Sequence, residues 1–184
     1  MVSILIPQGG DSERFAAALF NLIRRSGRSV LISESVNLFE DNPEFCLIVC
    51  PPNKKMVIAP TLPCIVFIAD TANPNFIIPA GASVLSFAES GTSMALDGSQ
   101  QLISCGLRQR DTLTLSSLDS KKPVFSVQRT INTLHGEPLE IGEFPLTINE
   151  DYNPRDIIAA AAVVILYKGS ILPDAFAMPP KDEC

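Results

Sequence analysis

The stretch "ILIPQGGDSERFAAALFNLIRRSGRSVLIS", residues Ile4 to Ser33, decides the fold. It opens within a continuous apolar run, Val2 to Ile6, of the kind found in strands buried on both faces. Pro7 ends the run, and Gly9 and Gly10 permit a tight turn. From Asp11 the period changes. Phe15, Leu19, Leu22 and Ile23 fall at i, i+4, i+7 and i+8, one apolar stripe of a helix. Asp11 or Ser12 is placed to cap the first amides, and Glu13 sits where the helix dipole favours an anion. Arg24 and Arg25 occupy the last turn, Gly27 stops the helix, and "SVLIS" begins a second strand. Strand, helix and strand make a βαβ unit whose two strands run parallel. Nucleotide-binding proteins keep their phosphate loop in a turn of this kind.

More buried-looking strands follow: "FCLIVC" (Phe45 to Cys50), "CIVFIA" (Cys64 to Ala69), "SVLSF" (Ser83 to Phe87) and "QLISCG" (Gln101 to Gly106). The segments between them are short and rich in Pro, Asn and Gly, with room for a crossover helix only in "FAESGTSMAL". After Gly106 polar and apolar residues alternate through "DTLTLSSL", "KPVFSVQRTINTL" and "EPLEIGEFPLTI", an antiparallel meander of about three strands with one solvated face. In "NPRDIIAAAAVVILYKG", Asn153 caps a helix, Pro154 takes its first position, Ala159 to Ala162 allow close packing and Gly169 stops it. The expected fold class is therefore α/β. A mostly parallel, Rossmann-like or P-loop-like sheet leads into a C-terminal antiparallel β-meander and a final packing helix. Residues 1–169 form one domain, with a parallel part at 1–106 and the meander and helix at 107–169. Residues 170–184 form a loose, proline-broken tail.

The composition narrows the function. With 184 residues, 46% hydrophobic and 18% charged, the chain has enough apolar material for one core. A net charge of −6 and a pI near 4.8 exclude a nucleic-acid binder, which needs a concentrated basic face. Arg24-Arg25, Lys54-Lys55 and Lys121-Lys122 read as solvated helix ends or turns. No apolar run approaches the roughly 20 residues that span a bilayer. The start lacks the basic region of a secretory signal, so a cytoplasmic location is expected. The five cysteines, Cys46, Cys50, Cys64, Cys105 and Cys184, contain no CxxC pair, and His135 is the single histidine. No metal site is expected from such a set. His135, in "TLHGEP", reads as a turn residue.

The order of elements resembles the central, ATP-binding domain of the Mur ligase family, which includes the peptidoglycan precursor ligases and folylpolyglutamate synthetase. That domain opens with a strand, a loop reading like "ITGTNGKTT", a helix and a strand. It then carries a "vitfG" strand, a meander and a "GxHNxxNalAAiAva" helix. Here "QLISCG" looks like the "vitfG" strand, "TLTLSS…PVFSVQRTINTL…EFPLTI" is similar to the meander, and "DYNPRDIIAAAAVVILYKG" is similar to the alanine-rich helix. "FIADTANPN" resembles the family's "NaDDPn" turn. The resemblance implies a Mur ligase-like fold, and in the family an amino acid is joined to a carboxylate through an acyl phosphate.

The departures bear on activity. With "LIPQGGDSER" set beside the family's loop, its phosphate-binding lysine falls on Asp11 and its magnesium-binding hydroxyl on Ser12. Two unit charges about 4 Å apart interact by roughly 4 kcal/mol at an effective dielectric of about 20. An aspartate there reverses the sign of that interaction with phosphate. Backbone amides at the helix start can still hold an anion, but Asp11 is itself placed to occupy them. The family's metal-binding glutamate falls near Cys50, which reads as core, and its histidine on Tyr152. Asn153 matches the first asparagine and Asp156 replaces the second. The flanking substrate domains that a ligase needs are not apparent.

The expectation is a non-catalytic, Mur-ligase-like binding or interaction module that has lost ATP binding, with no cofactor, acting through a protein partner or as a homodimer. An alternative is an enzyme or sensor that binds a small anionic or amide ligand at the strand-end crevice. Its candidate ligand-binding residues are Gly9, Gly10, Asp11, Ser12, Asp70, Asn73, Asn75 and Asn153. Asp11 and Asp70 both follow strands and would converge as paired carboxylates. A third reading is a structural subunit whose exposed meander face or alanine-rich helix docks a partner, favoured if Phe125, Val127 and Ile131 form an exposed apolar patch. No nucleophile elbow supports serine-hydrolase chemistry.

Overall fold

The apolar run at the start of the chain becomes the middle strand of a sheet. A computed structural model describes residues 1–51, 63–68, 78–87, 98–119, 121–148 and 150–177. In chain order its elements are β1 (Val2–Pro7), α1 (Ser12–Ile23), β2 (Ser29–Ile32), β3 (Asn37–Leu38), β4 (Phe45–Cys50), β5 (Cys64–Ile68), β6 (Ser83–Ser86), β7 (Gln101–Ser104), β8 (Leu113–Ser117), β9 (Val124–Val127), β10 (Ile131–Asn132), β11 (Pro138–Leu139), β12 (Gly142–Pro145) and α2 (Pro154–Lys168).

Among the described residues the main sheet runs β3-β2-β4-β1-β5-β6-β7. Every neighbouring pair is parallel except β2 with the edge strand β3. The chain leaves β1 toward β2 on one side, returns through β4, and crosses to β5 on the other side. That reversal puts a switch point at the carboxyl end of β1, where open α/β sheets place ligands. The fold is the expected α/β class: a mostly parallel sheet, an antiparallel three-stranded sheet β12-β9-β8, and a final helix. The sequence contained no sign of β3, a two-residue strand that closes a turn in which Ser33 N–H donates to the Val36 carbonyl.

Alternation along the strands divides the core. Val2, Ile4 and Ile6 of β1 join Phe15, Leu19, Leu22 and Ile23 of α1 and the buried face of α2. Leu5, Cys50, Cys64, Val66 and Val84 form a second cluster on the opposite face. Successive strand side chains point to opposite faces, so a strand apolar at every position must feed two cores. Helix α2 is buried along nearly its whole length, from Asp156 to Leu166, with Ala159 to Ala162 fully enclosed. A helix apolar all round belongs inside, and here it packs between α1 and the antiparallel sheet. Its ends follow the sequence: Asn153 Oδ1 accepts from the Arg155 N–H at 2.9 Å, and Gly169, at φ 73°, donates to the Ile165 carbonyl at 2.8 Å.

Several expectations change. Gly27 does not stop α1 by taking a left-handed conformation. A Cβ there would lie 2.7 Å from the Phe45 ring and 2.8 Å from the Glu44 carboxylate, so glycine is required by close approach. Arg25 is not a solvated helix end. Its guanidinium is nearly buried and donates to the Phe176 carbonyl at 2.8 Å and to Glu150 at 3.0 Å. Phe176 is itself fully buried, and Ser26 Oγ donates to the Ala175 carbonyl, so Ala175 and Phe176 are tied to the turn that follows α1. Residues 178–184 lie outside the described set. The segment "EPLEIGEFPLTI" is two strands, β11 and β12, and β10 pairs with β11 in a separate hairpin whose turn contains exposed His135 and Gly136 at φ 81°. The outer face of the meander is not uniformly solvated: Thr114 and Ser126, paired across β8 and β9, are both buried. At the far edge of the main sheet, the Gln101 side chain pairs with the backbone of β10, donating to the Asn132 carbonyl at 2.9 Å and accepting its N–H at 2.8 Å.

Candidate functional site

The glycine turn lies at the carboxyl end of β1, beside the switch point. Gln8 extends the β1 ladder by donating its N–H to the Cys50 carbonyl at 3.0 Å. The chain then turns through Gly9 and Gly10 into α1. The turn is closed by Ser12. Its hydroxyl accepts the Gly9 N–H at 3.2 Å and donates to the Gly9 carbonyl at 3.0 Å. Ser12 is therefore committed to the turn, and neither it nor Asp11 caps the helix through its side chain. A Cβ added at Gly10 would meet nothing within 4 Å, so the turn faces open space on that side.

Asp11 does not lie over the helix amides, as its sequence position suggested. Its exposed carboxylate turns to Arg14, one helical turn on, at 3.4 Å. Arg14 reaches past it to Asp156 in the first turn of α2, at 3.2 Å. One guanidinium thus stands between two carboxylates from opposite ends of the chain. Asp156 is buried, and burial holds its carboxyl above the usual range despite the opposing pull of Arg14. The same pair raises Arg14 above its ordinary value, chiefly through the Asp156 charge.

The neighbouring residue of α2 completes the wall. The Arg155 guanidinium carbon lies 4.8 Å from the Phe15 ring centroid and 5.2 Å from that of Phe87, a cation held between aromatic faces. Phe67 meets Phe15 edge-on at 5.3 Å and stacks with Phe87 at 6.1 Å. Three buried side-chain atoms have no hydrogen-bond partner among the described residues: Gln8 Oε1, Arg155 Nε and Asp156 Oδ1. All three belong to residues at the carboxyl end of the sheet or at the α2 terminus beside it.

Of the sequence-predicted residues, Gly9, Gly10, Asp11 and Ser12 share this turn, and Asn153 caps the helix that carries Arg155 and Asp156. Asp70, Asn73 and Asn75, and with them the expected pairing of Asp11 with Asp70, lie outside the described residues. Sequence reading missed Arg14 and Arg155. Arg14 carried a signal, since an acid and a base three apart on a helix face one another. The reach from Arg14 to Asp156 carried none, because it depends on how the two helices pack.

Cys50, expected from the sequence to be core, is buried. Burial pushes its thiol up to about 11, and that of Cys64 up to about 12. Among the described residues no cluster of His, Cys, Asp and Glu is arranged to hold a metal ion. The docking face built on Phe125, Val127 and Ile131 does not exist, since all three are buried. Among the described residues no helix is long and apolar enough to cross a membrane.

No known family profile matches the chain. No curated protein matches it either. Solved structures do. A UDP-N-acetylmuramoyl-L-alanyl-D-glutamate–2,6-diaminopimelate ligase superposes with a TM-score of 0.55 at 8% identity, over 96% of this chain and 45% of that one. MurF from Acinetobacter baumannii gives 0.52 at 12% identity, over 95% of this chain and 44% of that one. A UDP-N-acetylmuramoylalanyl-D-glutamyl-2,6-diaminopimelate–D-alanyl-D-alanyl ligase from the same organism gives 0.51 at 13% identity. The chain spans less than half the length of these structures, and at such identities the likeness is one of fold: a Mur ligase-like α/β arrangement.

Proposed function

We propose that this chain is a binding or interaction module built on the Mur ligase-like fold, that it does not use ATP, and that it works through a protein partner or a second copy. The reading rests chiefly on the charge pattern at the glycine turn. A carboxylate, Asp11, stands where the resembling family carries its phosphate-binding lysine, and the cation paired with it, Arg14, is shared with Asp156. The Ser12 hydroxyl, aligned with the family's magnesium ligand, is bonded on both sides to Gly9. A triphosphate would have to displace these bonds and face two carboxylates. Calorimetric titration with ATP and magnesium is the test. No saturable binding below the millimolar range is expected. Submicromolar affinity, or turnover abolished by Ser12→Ala, overturns the reading.

One observation favours a second reading, a small anionic ligand at the same turn. The Asp11 carboxylate leans toward Arg14 and makes no cap bond, which leaves the backbone around Gly10 facing open space. Titration with inorganic phosphate separates the two readings. Phosphate-dependent shifts of the Gly10 and Asp11 amides, without any ATP binding, support the anion site. A flat response leaves the interaction module alone.

A further inference from the structure

We propose that Arg14 is a pH-set switch for the glycine turn: Asp156 withholds its charge at neutral pH, and protonation of Asp156 releases it to an anion held at the turn. The proposal deepens the second reading above and rests on it, since it assigns a regulator to that same anion site. The turn has the donors. Neither the Gly10 nor the Asp11 N–H has a hydrogen-bond partner among the described residues, and no side chain caps α1. Free amides at a helix start donate readily to anions.

What the turn lacks is a free cation. Arg14 is drawn on from two sides. Its Nε and one terminal nitrogen lie 3.4 Å from Asp11 Oδ2, and its other terminal nitrogen lies 3.2 Å from Asp156 Oδ2. The two carboxylates are unequal. The Asp11 side chain is 71% exposed, so water screens its pull, whereas that of Asp156 is 2% exposed. The second oxygen of Asp156 has no hydrogen-bond partner. Ionising such a buried group carries a desolvation cost that one arginine offsets only in part. Neutralising it leaves a buried carboxylic acid and a guanidinium whose remaining partner faces water.

The surrounding charges set the sign. Among the described residues, those acting on Asp156 are Arg14 from α1, Arg155 from its own helix and Asp11 from the turn. Strand β8, which also packs on α2, carries no titratable side chain. With both aspartates ionised, the two arginines are balanced. Protonation of Asp156 leaves this group one positive charge in excess, beside a guanidinium that is half-exposed and already touches the turn residue Asp11. Burial holds the Asp156 carboxyl above its ordinary value of 3.8, so the release occurs above that pH.

Sulfate is the probe, because it keeps its charge across mildly acidic pH. Amide shifts of Gly10 and Asp11, at constant ionic strength, follow its binding at pH 7 and pH 4.5 in the native chain, Asp156→Asn, Asp11→Asn and Arg14→Gln. In the native chain sulfate should bind roughly threefold or more tightly at the lower pH. Asp156→Asn should show that tighter binding already at pH 7 and lose most of the pH response. Asp11→Asn should keep the response, and Arg14→Gln should bind weakly at both values. The Arg14 Nε–H resonance should move over the same pH interval as the Asp156 carboxyl carbon, a readout that needs no substitution. Equal sulfate affinity in the native chain and Asp156→Asn at pH 7, or a full pH response in Asp156→Asn, overturns the switch and leaves the anion reading standing. No saturable sulfate shift in any of the four at either pH overturns both.

Discussion

Arg14, in the first turn of α1, holds Asp156, in the first turn of α2, at 3.2 Å across 142 positions of sequence. The two residues join the start of the first helix to the start of the last, beside the glycine turn. Asp156 is buried and its second oxygen is unpaired among the described residues, whereas Arg14 is half-exposed and also touches Asp11. The pair is therefore unequal. Losing the cation strands a buried charge, and losing the carboxylate leaves a cation that water can reach.

Arg14→Ala should destabilise the fold by about 1–3 kcal/mol, the cost of an unsatisfied buried acceptor. Solvent screening of the exposed arginine favours the lower end. Urea denaturation at pH 7 measures it. The double variant Arg14→Ala with Asp156→Asn should regain most of the loss, a coupling that a cycle of the two single variants quantifies.

Asp156→Asn alone should change stability at pH 7 by less than about 1 kcal/mol, because burial and Arg14 pull its ionisation in opposite directions. The pH profile is more telling. The folded carboxyl sits above its ordinary value of 3.8, so between 3.8 and the raised folded value the native state binds more protons than the unfolded chain. The Asp156 contribution is fully present below 3.8 and falls as pH rises through that window. Asp156→Asn should remove this decline from denaturation midpoints taken at stepped pH.

Gly27→Ala should cost about 1–3 kcal/mol, the usual penalty for forcing a methyl into a filled site. The added carbon would meet the Phe45 ring at 2.7 Å, and Phe45 is fully buried at the start of β4, between β1 and β2 in the sheet. Replacing Phe45 with Leu in the same chain should recover part of the loss in thermal denaturation. If the glycine served only as a helix stop, Phe45→Leu would recover nothing.

Thiol modification should separate the cysteines by burial. Cys50, Cys64 and Cys105 are buried with thiols raised by that burial, so at pH 8 each should react only as fast as the fold opens. Cys46 is half-buried and should react first in a Cys184→Ser background. Mass-resolved alkylation over time checks the order. Rapid modification of Cys50 in native protein would contradict its placement in the core.

Much of this architecture was legible because local rules and burial agreed. Val2 to Ile6 are apolar at successive positions, and the structure uses both faces of β1. Asn153, Pro154 and Gly169 punctuate α2 where they stand in sequence. Other features depended on packing. Strand order could not be read, since parallel neighbours are chosen by how crossovers lie on the sheet. Strand β3 escaped because two residues carry no periodicity. At the site, Asp11 lies in the turn as its position implies, but its side chain meets Arg14 rather than the helix amides. Its own sequence offered both the helix amides and Arg14, and the geometry selected the arginine.

The position of α2 has a consequence for synthesis. Residues 154–168 are made long after α1, yet they supply the surface that α1 packs against. A ribosome-bound chain that has released the parallel strands still lacks the cover for Phe15 and Leu19. Productive folding therefore waits for α2, and a translation product interrupted before it should be a target for chaperones and proteases rather than a smaller version of the protein.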